Sequence, residues 1–188
     1  AALHGASHVL VSVPPEDAGD PVALRHGVDI AALPRLRWLG YLSSTAVYGD
    51  HGGAWVDEAT PPAPSSETGR RRLAAEESWL ALWRARGIPV HVFRLAGIYG
   101  PGRSALDAIR SGTARRIVKA GNAFSRIHVD DIVQVLRASM ARPDPGAIYN
   151  VCDDHPAPAA EVTAHGCMLL GLDPPPEQRF EDAEMSPR

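Results

Sequence analysis

The chain is poor in lysine and in cysteine. Its 188 residues carry a single Lys, Lys119, against eighteen Arg, and only two Cys, Cys152 and Cys167. Two cysteines without framework spacing exclude a disulfide scaffold, so reduced thiols and a cytoplasmic setting are the expectation. A basic surplus is also lacking. The net charge of −3 argues against a nucleic-acid partner held by a positive surface, and no Lys/Arg tract suits an anionic membrane. Apolar runs stop at strand length, well short of a bilayer span. No internal repeat or low-complexity segment is visible. Absent, too, is a Gly-x-Gly-x-x-Gly turn between a first strand and a helix. The chain opens without Met and ends without a closing element, and the expectation is a partial gene product or trimmed domain.

What is present is an alternation of strand-like and helix-like segments. His8 to Val13 is a β-branched apolar run stopped by Pro14-Pro15, which predicts a buried strand. Residues 16–34 read as loop and weak helix, with Pro21 suited to a first helical turn. Further strands are predicted at 37–43, 88–95, 116–119 and 147–151. The clearest helix is 67–86, where Leu73, Glu76, Trp79, Leu80 and Trp83 recur at helical spacing before Gly87. Shorter helices are predicted at 104–111, 130–141 and 161–170. This alternation implies an α/β fold, a partial Rossmann-like doubly wound parallel sheet, in one domain over 1–171. Small substrate-side elements are expected within about 98–128 and 152–171, and 172–188 as a Pro-rich, loosely ordered tail.

The most informative stretch is Tyr41-Leu-Ser-Ser-Thr-Ala-Val-Tyr-Gly49, a strand that ends on small hydroxyls where open α/β sheets bind ligands. It is followed in order by Val56-Asp-Glu-Ala-Thr-Pro61, Arg94-Leu-Ala-Gly-Ile-Tyr-Gly-Pro-Gly102, Ile127-His-Val-Asp-Asp131 and Ile148-Tyr-Asn-Val151. Together these resemble the extended short-chain dehydrogenase/reductase superfamily, the NAD-dependent epimerase/dehydratase group, over roughly residues 8 to 165. The resemblance implies NAD or NADP as cofactor, bound with help from a Gly-rich segment that the superfamily places ahead of the point where this chain starts.

Residue by residue, the resemblance makes Ser44 the hydroxyl that bonds the reacting substrate group. The superfamily's Tyr-x-x-x-Lys, whose Lys lowers the Tyr pKa for proton exchange, aligns with Thr68-Gly-Arg-Arg-Arg72. Arg72 keeps a positive charge and can hold a cofactor ribose; Thr68 is too weak an acid to replace a phenol. The catalytic candidates are therefore Ser44, Thr68 and Arg72. Cofactor contacts are expected from Val13, Arg72, Leu95, Ala96, Gly97 and Ile98, the last four through backbone amides. Substrate contacts are expected from Ser44, Thr45, Arg103 and Arg126, with Arg126 an unmatched anion ligand. Thr45-Ala46 lacks the acid pair of the 4,6-dehydratases. Tyr48 and Tyr99, as well as His128, Asp130 and Asp131, read as structural. A metal at Cys152-Asp-Asp-His155 is disfavoured because adjacent ligands rarely surround one ion.

Two function classes stay open, and a third outcome beside them. The leading one is an NAD(P)-dependent oxidoreductase or epimerase-like enzyme with a variant site, acting on a small molecule. The second is a non-catalytic NAD(P)-binding sensor or scaffold, and the third an inactive fragment. No nucleic acid or membrane partner is expected, and a homodimer is the assembly allowed for.

Overall fold

The structure is a computed structural model that describes residues 3–183. In chain order it forms β1 (His8–Val11), α1 (Pro21–Ala31), β2 (Trp38–Ser44), α2 (Glu67–Arg86), β3 (Val90–Leu95), β4 (Gly97–Tyr99) and α3 (Ala105–Arg110). Then follow β5 (Arg116–Val118), β6 (Arg126–His128), α4 (Val129–Ala141), β7 (Ile148–Val151), α5 (Ala159–Leu170) and β8 (Glu177–Arg179). The chain divides into two compact units: Ala1–Ala96 with Asp131–Val151, and Gly97–Asp130 with Cys152–Arg188.

The first unit is built on a four-stranded sheet in the order β1-β2-β3-β7, every pairing parallel. Strand alternation sends successive side chains to opposite faces. Leu39, Tyr41, Val90 and Val92 pack with Ile30 of α1 and with Ala75 and Trp79 of α2 in one core cluster. On the other face the Trp38 indole N–H donates to Ser139 Oγ of α4 at 3.0 Å. The indole lies across Gly40, where a Cβ would come within 2.1 Å of the ring. His91 stacks on Trp38 at 5.7 Å between centroids. Its Nδ1 faces the Leu39 carbonyl at 3.3 Å, and its Nε2 accepts from the Asp144 N–H at 2.9 Å. That pattern fixes a neutral ring with the proton on Nδ1, and burial holds its pKa below the ordinary 6.5.

Helix α2 spans the residues its sequence signals predict. The Ser66 hydroxyl accepts from the Gly69 N–H at 3.1 Å as the N-cap, and Gly87 ends the helix in the left-handed region at φ 68°. Strand β1 stops at Val11 rather than Val13, because its register with β2 runs out at the Val11–Tyr41 pair.

The second unit holds two small parallel pairings, β4 with β6 and β5 with β8, and helices α3 and α5. The two helices approach closely at Gly166, where a Cβ would lie 2.7 Å from Ile109 Cδ1. Lys119 stands over the Phe180 ring at 4.7 Å, and Arg116 pairs with Glu177 at 2.9 Å. Part of the segment expected to form a loose tail is thus strand β8 and a 3-10 turn, Phe180–Asp182. Residues 184–188 lie outside the described residues.

Candidate functional site

Parallel pairing puts the carboxyl ends of β1, β2, β3 and β7 on one edge of the first unit's sheet. Ser44 ends β2 there. Its Oγ accepts from the Ala46 N–H at 3.2 Å and caps a 3-10 turn, Thr45–Val47. Among the described residues, none accepts the Ser44 hydroxyl proton. The Thr45 hydroxyl reaches the Leu95 carbonyl at 3.5 Å, tying the turn to the end of β3.

Helix α2 begins against this turn. A Cβ on Gly69 would lie 2.6 Å from the Ala46 carbonyl oxygen and 3.0 Å from Pro64 Cβ. Thr68, the preceding residue, is exposed in the first helical turn. One turn on, Arg72 points to the sheet: Nη1 donates to the Leu42 carbonyl at 2.7 Å and to the Tyr41 hydroxyl at 3.4 Å. Tyr41 is wholly buried. Burial pushes its phenol up to about 12 against the opposing pull of Arg72.

Two of the strand-end amides expected to face a cofactor, those of Ala96 and Gly97, are bonded within the chain. The Ala96 N–H donates to the Val151 carbonyl at 3.0 Å, and the Gly97 N–H to the Ser125 carbonyl at 3.2 Å. Leu95 and Ala96 close the first unit, whereas Gly97 and Ile98 open the second as part of β4. Val13 is exposed beyond β1. In the second unit, Arg126 was expected to face an anion. Its Nη1 donates to the Phe124 and Ala157 carbonyls at 2.8 and 2.9 Å. It thereby braces the Phe124–Ala157 bridge. Arg103 is exposed in the turn closed by its backbone pairing with Gly100. Tyr99 meets the His128 ring edge-on at 5.2 Å. Among the described residues no three His, Cys, Asp or Glu side chains gather as a metal site, and no helix is long and apolar enough to cross a membrane.

Just below the sheet edge lies a polar row that sequence reasoning missed. Ser43, Arg94 and Asn150 stand in register on β2, β3 and β7. The Arg94 guanidinium grips Glu76 of α2, Nη2 to Oε2 at 2.8 Å and Nε to both oxygens at 3.2 Å. The pair is deeply buried, at 3% and 1% side-chain exposure. The Ser43 hydroxyl donates to Glu76 Oε1 at 2.5 Å. Arg94 Nη1 donates to the Tyr48 hydroxyl at 2.8 Å, and that hydroxyl donates to Asn150 Oδ1 at 2.8 Å. Burial would lower the Arg94 pKa, but the Glu76 hydrogen bonds and charge outweigh it and raise it. The Tyr48 hydroxyl is thus held at both ends, accepting from Arg94 and donating to Asn150. A signal was available: Glu76 is a carboxylate inside the apolar stripe of α2.

The fit to a dinucleotide is partial. At the sheet edge Ser44 offers a hydroxyl, and Arg72 of α2 brings a cation to the Leu42 carbonyl of the same strand. A diphosphate does not fit the helix that follows β1. The N-terminus of α1 is filled by the Asp20 carboxylate, whose Oδ1 accepts from the Val22 and Ala23 N–H groups at 2.9 and 2.7 Å, and a second anion there would be repelled.

A family model described as NAD dependent epimerase/dehydratase family matches residues 28–152. Protein YeeZ of Escherichia coli (strain K12) is 33% identical over 181 residues, covering 93% of this chain and 63% of its own length. A 3-diazoavenalumate denitrifying reductase of Streptomyces sp is 30% identical over 193 residues, covering 93% and 60%. The solved structure of a functionally unknown conserved protein from Silicibacter pomeroyi superposes with a TM-score of 0.91 at 55% identity, covering 98% of this chain and 64% of that one. The chain thus spans somewhat under two thirds of the length of these relatives, 60–64%.

Proposed function

The chain belongs to the NAD dependent epimerase/dehydratase family, and from that premise we propose that it carries the nicotinamide-side half of an NAD(P)-dependent oxidoreductase or epimerase-like enzyme with a variant active site. Bound nicotinamide would supply hydride gain or loss at a substrate carbon. Ser44 orients the reacting hydroxyl or carbonyl of a small molecule with its available O–H. Arg72, held by the Leu42 carbonyl, supplies positive charge at the same edge. Thr68 aligns with the phenol that relays the proton in the superfamily and lacks the acidity to do so. The observation that carries the reading is the seating of α2. Gly69 lies against the Ser44 turn and Arg72 lies on β2, so the residue pair aligned with Tyr and Lys starts at the strand end that bears Ser44.

A non-catalytic NAD(P)-binding role is the second reading. Thr68 favours it, as do the Ala96 and Gly97 amides already spent on backbone carbonyls. Calorimetry with NAD and NADPH tests the cofactor half of both readings. The chain alone is expected to bind weakly or not at all, since affinity depends on amides around the pyrophosphate at a helix N-terminus. Fusing a strand–Gly-rich-loop–helix upstream is expected to restore binding. Tight binding by the chain alone would sink this assignment of the phosphate site. Added carbonyl substrates that are reduced by the fused protein would favour the enzyme over the sensor.

A further inference from the structure

Residues 49–63, between β2 and α2, form a strap whose two legs meet at its base. A Cβ on Gly49, at φ 77°, would lie 2.0 Å from the Ala63 carbonyl oxygen, so the outgoing and returning legs touch there. His51 Nε2 bonds the Tyr48 carbonyl at 3.1 Å beside it. Asp57 and Thr60 close a small turn on the far side, with the Thr60 N–H on Asp57 Oδ1 at 2.9 Å. Between base and turn, Trp55 is 77% exposed.

The strap is also fastened at its far end. Glu58 Oε1 accepts from the Asn150 N–H at 2.7 Å. Asn150 lies on β7, the last strand of the sheet, so its N–H meets a loop carboxylate instead of another strand. Strand β3 lies between β2, where the strap begins, and β7, where Glu58 lands. The strap therefore passes the carboxyl end of β3. Its fastening residue is also tied to the buried row, since Asn150 Oδ1 holds the Tyr48 hydroxyl.

We propose that Glu58 is a positioning residue: its carboxylate latches the 49–63 strap across the carboxyl edge of the sheet, and thereby sets where Trp55 stands relative to a ligand on that edge. The latch itself stands on the hydrogen bond to Asn150; the ligand half rests on the reading of the edge given above. A carboxylate on a backbone N–H is a charge-assisted bond, stronger than a neutral one. It also covers an exposed strand edge that would otherwise be open. A loop of this length with touching ends and its own internal bonds is a compact unit that can move as a whole.

Amide hydrogen exchange on the chain decides the latch. Glu58→Ala is expected to speed exchange at Asn150 and through 50–63 by about tenfold or more, with the amides of β2 and β3 unchanged. Glu58→Gln retains an acceptor oxygen and is expected to recover most of the protection. Unchanged exchange in Glu58→Ala overturns the latch, and so does faster exchange spread equally over β2 and β3. The ligand half is read in the upstream-fused protein by energy transfer from tryptophan to bound NADH. Trp55→Phe is expected to remove part of that transfer, and Glu58→Ala to reduce it. Transfer unaffected by Trp55→Phe overturns the ligand half alone. Absence of NADH binding overturns the reading of the edge, and the exchange comparison still decides the latch.

Discussion

The sheet edge and the polar row one residue beneath it are opposites. In the row every partner is specified: Arg94 bonds Glu76 and Tyr48, Glu76 holds Ser43, and Tyr48 holds Asn150, all under cover of α2. At the edge, Ser44 has an unclaimed proton, Thr68 faces solvent, and Arg72 is tethered through Nη1 to a backbone carbonyl. Buried ions without partners are costly, so removing Arg94 or Glu76 alone should weaken the fold strongly. Exposed hydroxyls can be exchanged at little cost. The contrast separates a network whose members are fixed by burial from an edge whose side chains can be exchanged.

The row should fail first under mutation. Arg94→Met leaves Glu76 buried and unpaired, and the expected loss is about 3–5 kcal/mol in urea unfolding. Adding Glu76→Met should return a good part of it. A single variant that costs under about 1 kcal/mol would erase the difference between row and edge. At the edge the largest effect should be a gain. In the upstream-fused protein, Thr68→Tyr with Arg72→Lys is expected to raise any carbonyl reduction by about 100-fold, the usual contribution of a positioned general acid. Ser44→Ala should lower it. Turnover indifferent to all three would move proton transfer away from this edge.

A smaller effect comes from His91, on the opposite face of the sheet. Its folded pKa lies below the ordinary 6.5, so the unfolded chain binds the proton more readily. Its stabilising contribution is complete above pH 6.5 and is lost as pH falls below that value. Unfolding free energy should drop there by at most ~1.4 kcal/mol per pH unit from this group. His91→Gln should flatten that slope in urea titrations across the acid range. The least effect is expected from Thr68→Ala, with stability unchanged within about 0.5 kcal/mol. A larger loss would mean that Thr68 belongs with the row.

Much of this architecture was legible in the sequence. The stripe Leu73–Trp79–Trp83 and Gly87 mark α2 because period and stop agree. The central strands β2 and β3 were readable because parallel strands covered on both faces run largely apolar; β1, read as buried, lies at the sheet edge with Leu10 45% exposed. Strands β4, β6 and β8 are three residues each and were not read, whereas β5, equally short, was predicted at 116–119. Arg126 shows a different limit. Carbonyl acceptors two residues before it and thirty-one after it decide where its Nη1 goes. The row was hidden for a similar reason: Glu76 and Arg94 are eighteen residues apart and meet only once α2 has crossed back over β3.

The solitary lysine has a practical consequence. Lys119 is exposed just after β5, so a lysine-specific protease has one bond to attack, and the nick would yield pieces 1–119 and 120–188. The second piece carries α4 and β7, which are built into the sheet of the first through the β3–β7 ladder and the Trp38–Ser139 hydrogen bond. Cutting the chain therefore does not cut the sheet: the nicked molecule would travel as one body in native buffer and part only in denaturant. The cohesion of β7 with its neighbours can thus be weighed without changing a single side chain.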